Sequence, residues 1–141
     1  MYRCDTNDRI KAVKWTVIFV IIIFIVLGIF LSTGDIRMNY GESSFKIEAS
    51  YWGDKEISYS DIENMEYRNH YVNGTRTGGF GSFRLEMGSF QNKEFGSYTR
   101  YTYVRCNDYV ILTVNGKQIV INGKTEEETK DIYHTLEEKC K

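Results

Sequence analysis

The sequence predicts a mainly β protein in which a single transmembrane helix precedes a partly open antiparallel β-barrel capped by a C-terminal α-helix. Three observations predict this architecture. Residues 15–31 form an unbroken apolar run, short segments with period-two alternation follow from Asp35, and residues 125–140 carry the pattern of a capped amphipathic helix. We therefore expect a tail at 1–14, a transmembrane helix at 15–34 and one folded domain at 35–141.

The apolar run contains no charge and no proline, and Ser32, Thr33 and Gly34 extend its uncharged length to 20 residues. At about 1.5 Å per residue, a helix of this length covers about 30 Å, which is the hydrocarbon thickness of a bilayer. No polar face interrupts the run, unlike an amphipathic helix packed on a soluble core. Because a lone segment in lipid must satisfy its own backbone hydrogen bonds, residues 15–34 are predicted to cross the lipid bilayer as one helix.

The distribution of basic residues favours one orientation in the cell membrane. The first 14 residues carry four Lys or Arg side chains, whereas only Arg37 and Lys46 follow within about 15 residues of the run. Basic residues are retained on the cytoplasmic side, so the tail is predicted to be cytoplasmic and the C-terminal domain extracellular. A cleaved signal peptide is the alternative, since residues 32–34 are small, but signal h-regions usually span only about 7–15 residues.

The composition of the C-terminal part limits its fold and its partners. Residues 35–141 carry 14 basic and 17 acidic side chains, so no basic field is available and we expect no nucleic-acid partner. The 107 residues suffice for one domain with a modest core. Ten of the eleven tyrosines lie there, which favours strands, and the absence of proline leaves the turns to Gly, Asn and Asp.

Period-two patterns predict about seven or eight strands. The first four predicted strands alternate apolar with polar side chains, as half-buried strands do, and the last three are rich in residues that favour strands. The segments are 45–49, 55–59, 62–68, 83–87, 98–105, 109–114 and 117–122. Asn115-Gly116 between the last two is the strongest hairpin signal, because both residues tolerate positive φ.

The final element is predicted to be helical. Thr125 begins a capping box in which Glu128 reaches back to the amide of Thr125, and residues 126–128 are all acidic, which suits the positive end of a helix dipole. Apolar residues then recur at helical spacing along one face, so the helix can plug an open end of the sheet. The residues of this face are Thr129, Ile132, Tyr133, Leu136 and Cys140.

This combination resembles the bacterial pleckstrin-homology-like (PH-like) domain proteins over roughly residues 36–138. The residues that carry the resemblance are Tyr59-Ser60-Asp61-Ile62-Glu63, the glycine-rich segment 73–81, and the last segments of the domain, 110–113, 119–122 and 126–136. The resemblance implies a seven-stranded, partly open barrel capped by the helix. The family has no agreed catalytic residues or ligand, so the resemblance supplies no site residues.

The residues contain no recognisable catalytic constellation. A triad needs a histidine beside a nucleophile, yet His70 opens a loop without a nucleophile motif and His134 lies off the apolar line of the last helix. The three cysteines form no C-x-x-C pair, so no metal and no cofactor are expected. Cys106 and Cys140 are either a disulfide in an oxidising space or two small unpaired hydrophobes.

Two glycine-containing segments are the candidate binding loops. Residues 69–82 hold Tyr71, Arg76 and Phe80, and residues 88–97 hold Phe90 and Phe95. Long loops on a rigid barrel often bind partners, and the four aromatic rings would gather if both loops met at one rim. The alternative is that the first segment is only a long, flexible hairpin connection.

We therefore expect a non-enzymatic binding module for a protein or peptide partner at the membrane. The alternative is a structural or accessory subunit that assembles through its transmembrane helix, and a hydrolase would require His70 to act in turnover. We expect no phosphoinositide recognition, because headgroup phosphates need converging basic residues. The turn at 41–44 has an acid and no base, and the glycine-rich segment offers only Arg76.

Overall fold

The computed structural model describes residues 5–141, which contain two α-helices and nine strands. The helices are α1 (Asp5–Ser32) and α2 (Glu126–Lys139). The strands are β1 (Ile36–Tyr40), β2 (Ser44–Ala49), β3 (Lys55–Ser58), β4 (Ile62–Arg68), β5 (Thr75–Gly81), β6 (Leu85–Asn92), β7 (Gly96–Tyr103), β8 (Tyr109–Val114) and β9 (Lys117–Ile121).

The N-terminal helix is apolar all round. Its span Thr6–Ser32 is long and apolar enough to cross a membrane, and none of its most apolar window is buried. The helix begins at Asp5, so residues 5–14 of the predicted tail are helical, whereas residues 1–4, including Cys4, lie outside the described residues. The chain from Gly34 onward forms a separate compact unit.

The domain contains two sheets that do not close on each other. One has three strands in the order β1-β2-β3, and the other has six in the order β4-β8-β9-β7-β6-β5. The mainly β, partly open architecture with a C-terminal helix is thus confirmed. The predicted all-antiparallel arrangement is wrong at one pair, because β7 and β9 run parallel, with Thr99 opposite Ile119 and Tyr101 opposite Ile121.

The six-stranded sheet buries both of its faces, because alternate side chains of a strand point to opposite sides. On β8, Val110 and Leu112 belong to the main core with the three-stranded sheet and Leu136 of α2. The intervening Ile111 belongs to a second, smaller cluster on the other face, beneath the segment 69–74 that joins β4 to β5. The residues of this second cluster are Val72, Phe90, Tyr98, Tyr109, Ile111 and Val120.

The glycine-rich segment is a strand for half of its length, which sequence reasoning missed. Residues 75–81 pair with β6, and only 69–74 are irregular. Gly79 lies opposite Gly88 with positive φ at both, and a Cβ on Gly79 would clash with the carbonyl oxygen of Met87. These glycines therefore serve close approach of two strands at a bulge rather than loop freedom. The predicted loop 88–97 is likewise mostly β6 and β7, with a short turn between them.

Two local predictions are confirmed in atomic detail. Asn115 and Gly116 both have positive φ, 51° and 72°, at the β8–β9 turn. Thr125 caps α2, since its hydroxyl oxygen accepts from the Glu128 N–H at 3.2 Å. The Glu128 carboxylate, however, accepts from the Lys124 N–H at 2.8 Å rather than from the N–H of Thr125.

Candidate functional site

Three of the five predicted binding residues lie together on the outer face of the six-stranded sheet. The Tyr71 ring is 5.8 Å from the guanidinium of Arg100, and the Phe90 ring is 4.9 Å from it. Phe95 meets Tyr98 edge-on at 5.4 Å in the same cluster. Of the three, Phe90 is buried, Phe95 is half-buried and Tyr71 is exposed, so only Tyr71 offers an accessible ring.

The other two predicted residues lie elsewhere, on β5. Phe80 packs its ring 4.7 Å from that of Tyr51 against the main core. Arg76 is exposed on the edge strand of the six-stranded sheet. The structure therefore does not gather the four aromatic residues at one rim, because pairing of β5 with β6 separates Phe80 from the segment 69–74.

Arg100 is the centre of this group of side chains, which we call the outer cluster, and it was not singled out from the sequence. The outer cluster consists of Tyr71, Phe90, Phe95, Tyr98, Arg100 and Tyr109. The side chain of Arg100 is fully buried, its Nη1 is 2.7 Å from Glu86 Oε2, and its Nη2 donates to the Val72 carbonyl oxygen. Its Nε has no partner among the described residues. Burial raises the pKa of the neighbouring Tyr109 to about 12, so this phenol stays neutral. The cluster ties the segment 69–74 to the sheet and leaves little room for a ligand.

A groove between β1 and α2 is a more accessible feature. Its volume is about 290 Å³, and β1 contributes every second residue to its lining. From β1 come Ile36, Met38 and Tyr40, and from α2 come Glu128, Asp131, Ile132 and Thr135. Met38, Tyr40 and Ile132 are half-buried, so the groove combines a partly apolar floor with a polar wall.

The backbone of β1 is open on the side that faces away from β2. Bonds from Ser50 N to Asp35 O and from Gly41 N to Ser44 O bracket the β1–β2 ladder. Because hydrogen-bonded pairs alternate in an antiparallel ladder, the N–H and C=O groups of Met38 and Tyr40 point outward. No other strand pairs with β1 within residues 5–141. An exposed row of unpaired backbone groups is a template for another strand.

The α2 side of the groove carries the acids Glu128 and Asp131, and Lys124, which precedes α2, also lines the groove. Asp131 forms no ion pair within the part of the chain that the structure describes, and it lies close enough to Tyr40 to affect its titration. Burial first, with Tyr59 and Asp131 adding to it, raises the pKa of Tyr40 to about 12. The phenol is therefore a neutral hydrogen-bonding group, and the groove favours a ligand that carries a positive charge beside Asp131.

A larger groove of about 520 Å³ is lined by Lys55 of β3 and by residues of β7 and β9. Most of its lining is hydroxyl, amide and lysine side chains, including Ser97, Thr99 and Lys117. Such a lining suits a small hydrophilic ligand better than a peptide with apolar side chains. The groove at β1 fits a peptide better, because it joins an open strand edge to apolar side chains.

The histidines and cysteines lie apart from these features. His134 is exposed, with its Nδ1 3.8 Å from Glu137 Oε2, and His70 is exposed. No group of three potential metal ligands occurs among the described residues. Cys106 is buried, with its sulfur 3.5 Å from the hydroxyl oxygen of Thr129 in the first turn of α2. Cys140 follows Thr129 by eleven residues, at the end of the same helix. At 1.5 Å per residue this is about 16 Å, so both cysteines are free thiols.

Two sheets packed around a main core, with a C-terminal helix, have the architecture of a PH-like domain, and PH domains are generally non-catalytic binding modules. Residues 36–136 match the family described as Bacterial PH domain, and the chain belongs to that family. No curated protein matches the chain. No solved structure matches it either.

Proposed function

We propose that this protein is a membrane-anchored, non-catalytic module that binds an extended peptide segment of a partner protein in the groove between β1 and α2. The observation that carries the proposal is the open backbone edge of β1 at Met38 and Tyr40, beside a groove with apolar and acidic walls. A peptide added to a strand edge gains main-chain hydrogen bonds, and the groove selects its side chains.

The charge of the groove indicates the chemistry of the segment. The segment pairs with β1, places apolar side chains against Met38 and Ile132, and places a Lys or Arg beside Asp131. Burying one such apolar side chain contributes about 1.5–3 kcal/mol. An ion pair with the exposed Asp131 adds about 0.2–1 kcal/mol.

The proposed anchor is α1, with the N-terminus in the cytoplasm and the domain outside the cell. Two observations support the anchor: α1 is apolar enough to cross a bilayer, and its most apolar window buries nothing in the structure. The excess of basic residues before the apolar run supports the orientation. The domain then presents its groove to partners outside the membrane.

Selection of peptides on the full-length protein in lipid nanodiscs tests the groove. Random peptides displayed on phage serve as the probe, and empty nanodiscs remove background binders. We expect selected peptides to alternate apolar residues and to include a basic residue. Asp131→Lys should weaken their binding about tenfold, whereas Glu138→Lys, an exposed acid of the same helix outside the groove, should leave binding unchanged.

A proline substitution tests strand addition directly. Met38→Pro removes an outward-pointing N–H without breaking the β1–β2 ladder, so it should abolish peptide binding while the domain stays folded. Asn39→Pro removes an N–H that bonds β2 and should lower the melting temperature instead. Peptides that bind Met38→Pro and Asp131→Lys as well as they bind the native chain would refute the groove. Loss of binding in Tyr71→Ala alone would move the site to the outer cluster.

A second candidate function is that of an accessory subunit that assembles through α1. The observation that favours it is that apolar side chains are exposed on every side of this helix. Photo-crosslinkers placed at Met38 or at Phe24 distinguish the two proposals in cells. A crosslink to one partner from Met38 supports the groove, and a crosslink only from Phe24 supports assembly through the helix.

A further inference from the structure

Outside α1, four large apolar side chains of the described chain are exposed by more than a third: Trp52 at 38%, Tyr71 at 55%, Phe83 at 56% and Val104 at 39%. All four lie in connections between strands, and Tyr71 belongs to the segment 69–74 described above. Of the other three, Trp52 lies between β2 and β3, Phe83 between β5 and β6, and Val104 between β7 and β8. Exposed apolar side chains in neighbouring turns mark a contact surface more often than singly scattered ones do.

Hydrogen bonds join these three connections to the first residues of the domain. The Arg84 guanidinium donates to the Gly34 carbonyl oxygen at 3.3 Å, and the Val104 N–H donates to the Arg84 carbonyl oxygen at 2.9 Å. The Asp35 N–H donates to the Ser50 hydroxyl oxygen at 2.8 Å, just before the turn that carries Trp52. The exposed apolar side chains therefore cluster where the domain begins.

The start of the domain is covalently connected to the end of α1 by a very short stretch of chain. Gly34 follows Ser32, the last residue of α1, by two positions. Consecutive Cα atoms are 3.8 Å apart, so the two Cα atoms are separated by at most about 8 Å. If α1 is the anchor proposed above, this end of the domain lies at the lipid headgroups. Aromatic and basic residues are the side chains that favour this interface.

The same end is rich in basic side chains. A hollow of about 270 Å³ is lined by Phe83, Arg84, Tyr103, Arg105 and Lys124, which include three cations and no carboxylate. Asp35 pairs with Lys124 at 3.4 Å and with Arg37 at 3.9 Å, and Glu48 and Asp54 lie with it around a neighbouring hollow. Arg105 is exposed and forms no ion pair within residues 5–141. Phosphate oxygens can therefore be met by guanidinium groups beside the exposed Phe83 ring.

We propose that these residues form a membrane-proximal face that binds anionic phospholipid headgroups of the bilayer in which α1 is anchored. The face consists of Trp52, Phe83, Arg84, Val104 and Arg105. The apolar side chains enter the interface, and the two arginines bind phosphates. The proposal rests on the proposed anchor. The proposal requires a negatively charged lipid surface rather than one particular headgroup.

Contact-dependent quenching of tryptophan by brominated lipid tests the face in the full-length chain. Trp15→Phe and Trp52→Phe remove the native indoles, and Phe83→Trp then reports on the face. Tyr71→Trp in the same background is the matched control, because Tyr71 is equally exposed but lies in the segment 69–74 on the outer cluster. Each variant is reconstituted in nanodiscs of brominated phosphatidylcholine with or without phosphatidylglycerol.

We expect about twofold stronger quenching for Phe83→Trp than for Tyr71→Trp when phosphatidylglycerol is present. The reason is that each basic residue near an anionic surface strengthens the attraction of the face to the lipid about fivefold at low salt. High salt or added Arg105→Glu should remove the difference. Lys93→Glu should leave it, because Lys93 lies in the turn at the opposite end of β6. A phosphoinositide at equal charge should quench no more than phosphatidylglycerol does.

Equal quenching of the two variants in nanodiscs that retain the protein would overturn the membrane-proximal face and leave the anchor standing. Failure of the chain to copurify with nanodiscs would overturn the anchor and the face together. Selective quenching with a phosphoinositide would replace the charged face by a headgroup-specific site. Binding of displayed peptides at β1 is measured separately and does not depend on any of these results.

Discussion

The backbone N–H of Ile36 donates to the hydroxyl oxygen of Tyr103 at 3.0 Å. The same hydroxyl contacts the carbonyl oxygen of Ile36 at 3.1 Å and donates to the carboxylate of Asp35. Tyr103, at the end of β7, therefore occupies the outward edge of β1 at its first residue. The edge that stays open is the part at Met38 and Tyr40, which is where we propose that a peptide pairs.

The hydrogen bonds between the Tyr103 hydroxyl and the start of β1 should contribute measurably to the free energy of unfolding. Tyr103→Phe leaves the buried Ile36 N–H and the Asp35 carboxylate without this partner, which should cost about 1–3 kcal/mol of the free energy of unfolding. Tyr101→Phe is the control, because its hydroxyl bonds the carbonyl oxygen of Gly53 at 3.0 Å in an exposed turn where water can replace it. Denaturant titration of both variants gives the comparison, and equal losses would contradict a special role for Tyr103.

Stability at acid pH should depend on Asp35. Burial raises the pKa of this carboxyl, but the hydrogen bond from Tyr103 and the attraction of Lys124 outweigh burial and lower it below 3.8. A lowered pKa in the folded state stabilises the fold above the unfolded value, and this contribution is lost as the pH falls through the lower folded value. The range from about pH 5 to about pH 2 covers the titration of this carboxyl. Within it, Asp35→Asn should therefore lose less melting temperature than the native chain does.

The control for this pH dependence is Asp61→Asn. Asp61 is exposed and forms no ion pair among residues 5–141. Its substitution should leave the acid dependence of the melting temperature unchanged. An acid dependence that is the same in Asp35→Asn and in the native chain would show that other carboxylates govern the transition.

The C-terminal helix should be part of the core rather than an appendage. Leu136 is fully buried in the main cluster, and cutting a large buried side chain to alanine costs about 2–5 kcal/mol. Leu136→Ala should lower the melting temperature of the domain sharply. The melting curve is measured by near-ultraviolet circular dichroism of the tyrosines. Glu138→Ala on the exposed side of the same helix should change stability by less than about 0.5 kcal/mol. An unchanged melting curve for Leu136→Ala would mean that α2 does not close the core.

Cys140 can report on which side of the membrane the domain lies. It is exposed, whereas Cys106 is buried, and Cys4→Ser removes the cysteine of the predicted cytoplasmic tail. Partial burial raises the pKa of the Cys140 thiol, so labelling should be slow and is best followed near pH 8. We expect a membrane-impermeant maleimide to label Cys4→Ser in intact cells and not Cys4→Ser/Cys140→Ser. Labelling that requires lysis would reverse the proposed orientation.

Much of the fold was predictable because local physics determines it. An uncharged run of bilayer length has one stable conformation in lipid, and the structure has α1 through that run. Asn115-Gly116 specifies a hairpin through its positive φ angles, and Thr125 specifies a helix start through its hydroxyl. The apolar line of α2 placed Leu136 in the core for the same reason. None of these features needs a distant residue.

The strand β5 and the candidate site could not be predicted, because they depend on contacts between distant segments. The glycines of 75–81 look like loop residues until Gly79 meets Gly88 of β6. Arg100 looks like a surface arginine until the fold brings Glu86, the Val72 carbonyl oxygen and several aromatic rings around it. Likewise, β1 (Ile36–Tyr40) is not among the strand segments predicted from the sequence, and its neighbours on each side are set by distant residues.

The sequence alone therefore determined that an apolar helix precedes a strand-rich domain with a capped terminal helix, because hydrophobic period, turn chemistry and capping act over a few residues. Only the tertiary structure decided that β1 ends the three-stranded sheet with its outer edge beside α2. It also decided that the exposed Phe83 and Arg105 lie near Gly34. The physical reason is that sheet order and strand edges are set by long-range pairing, and no local pattern encodes which edge remains unpaired.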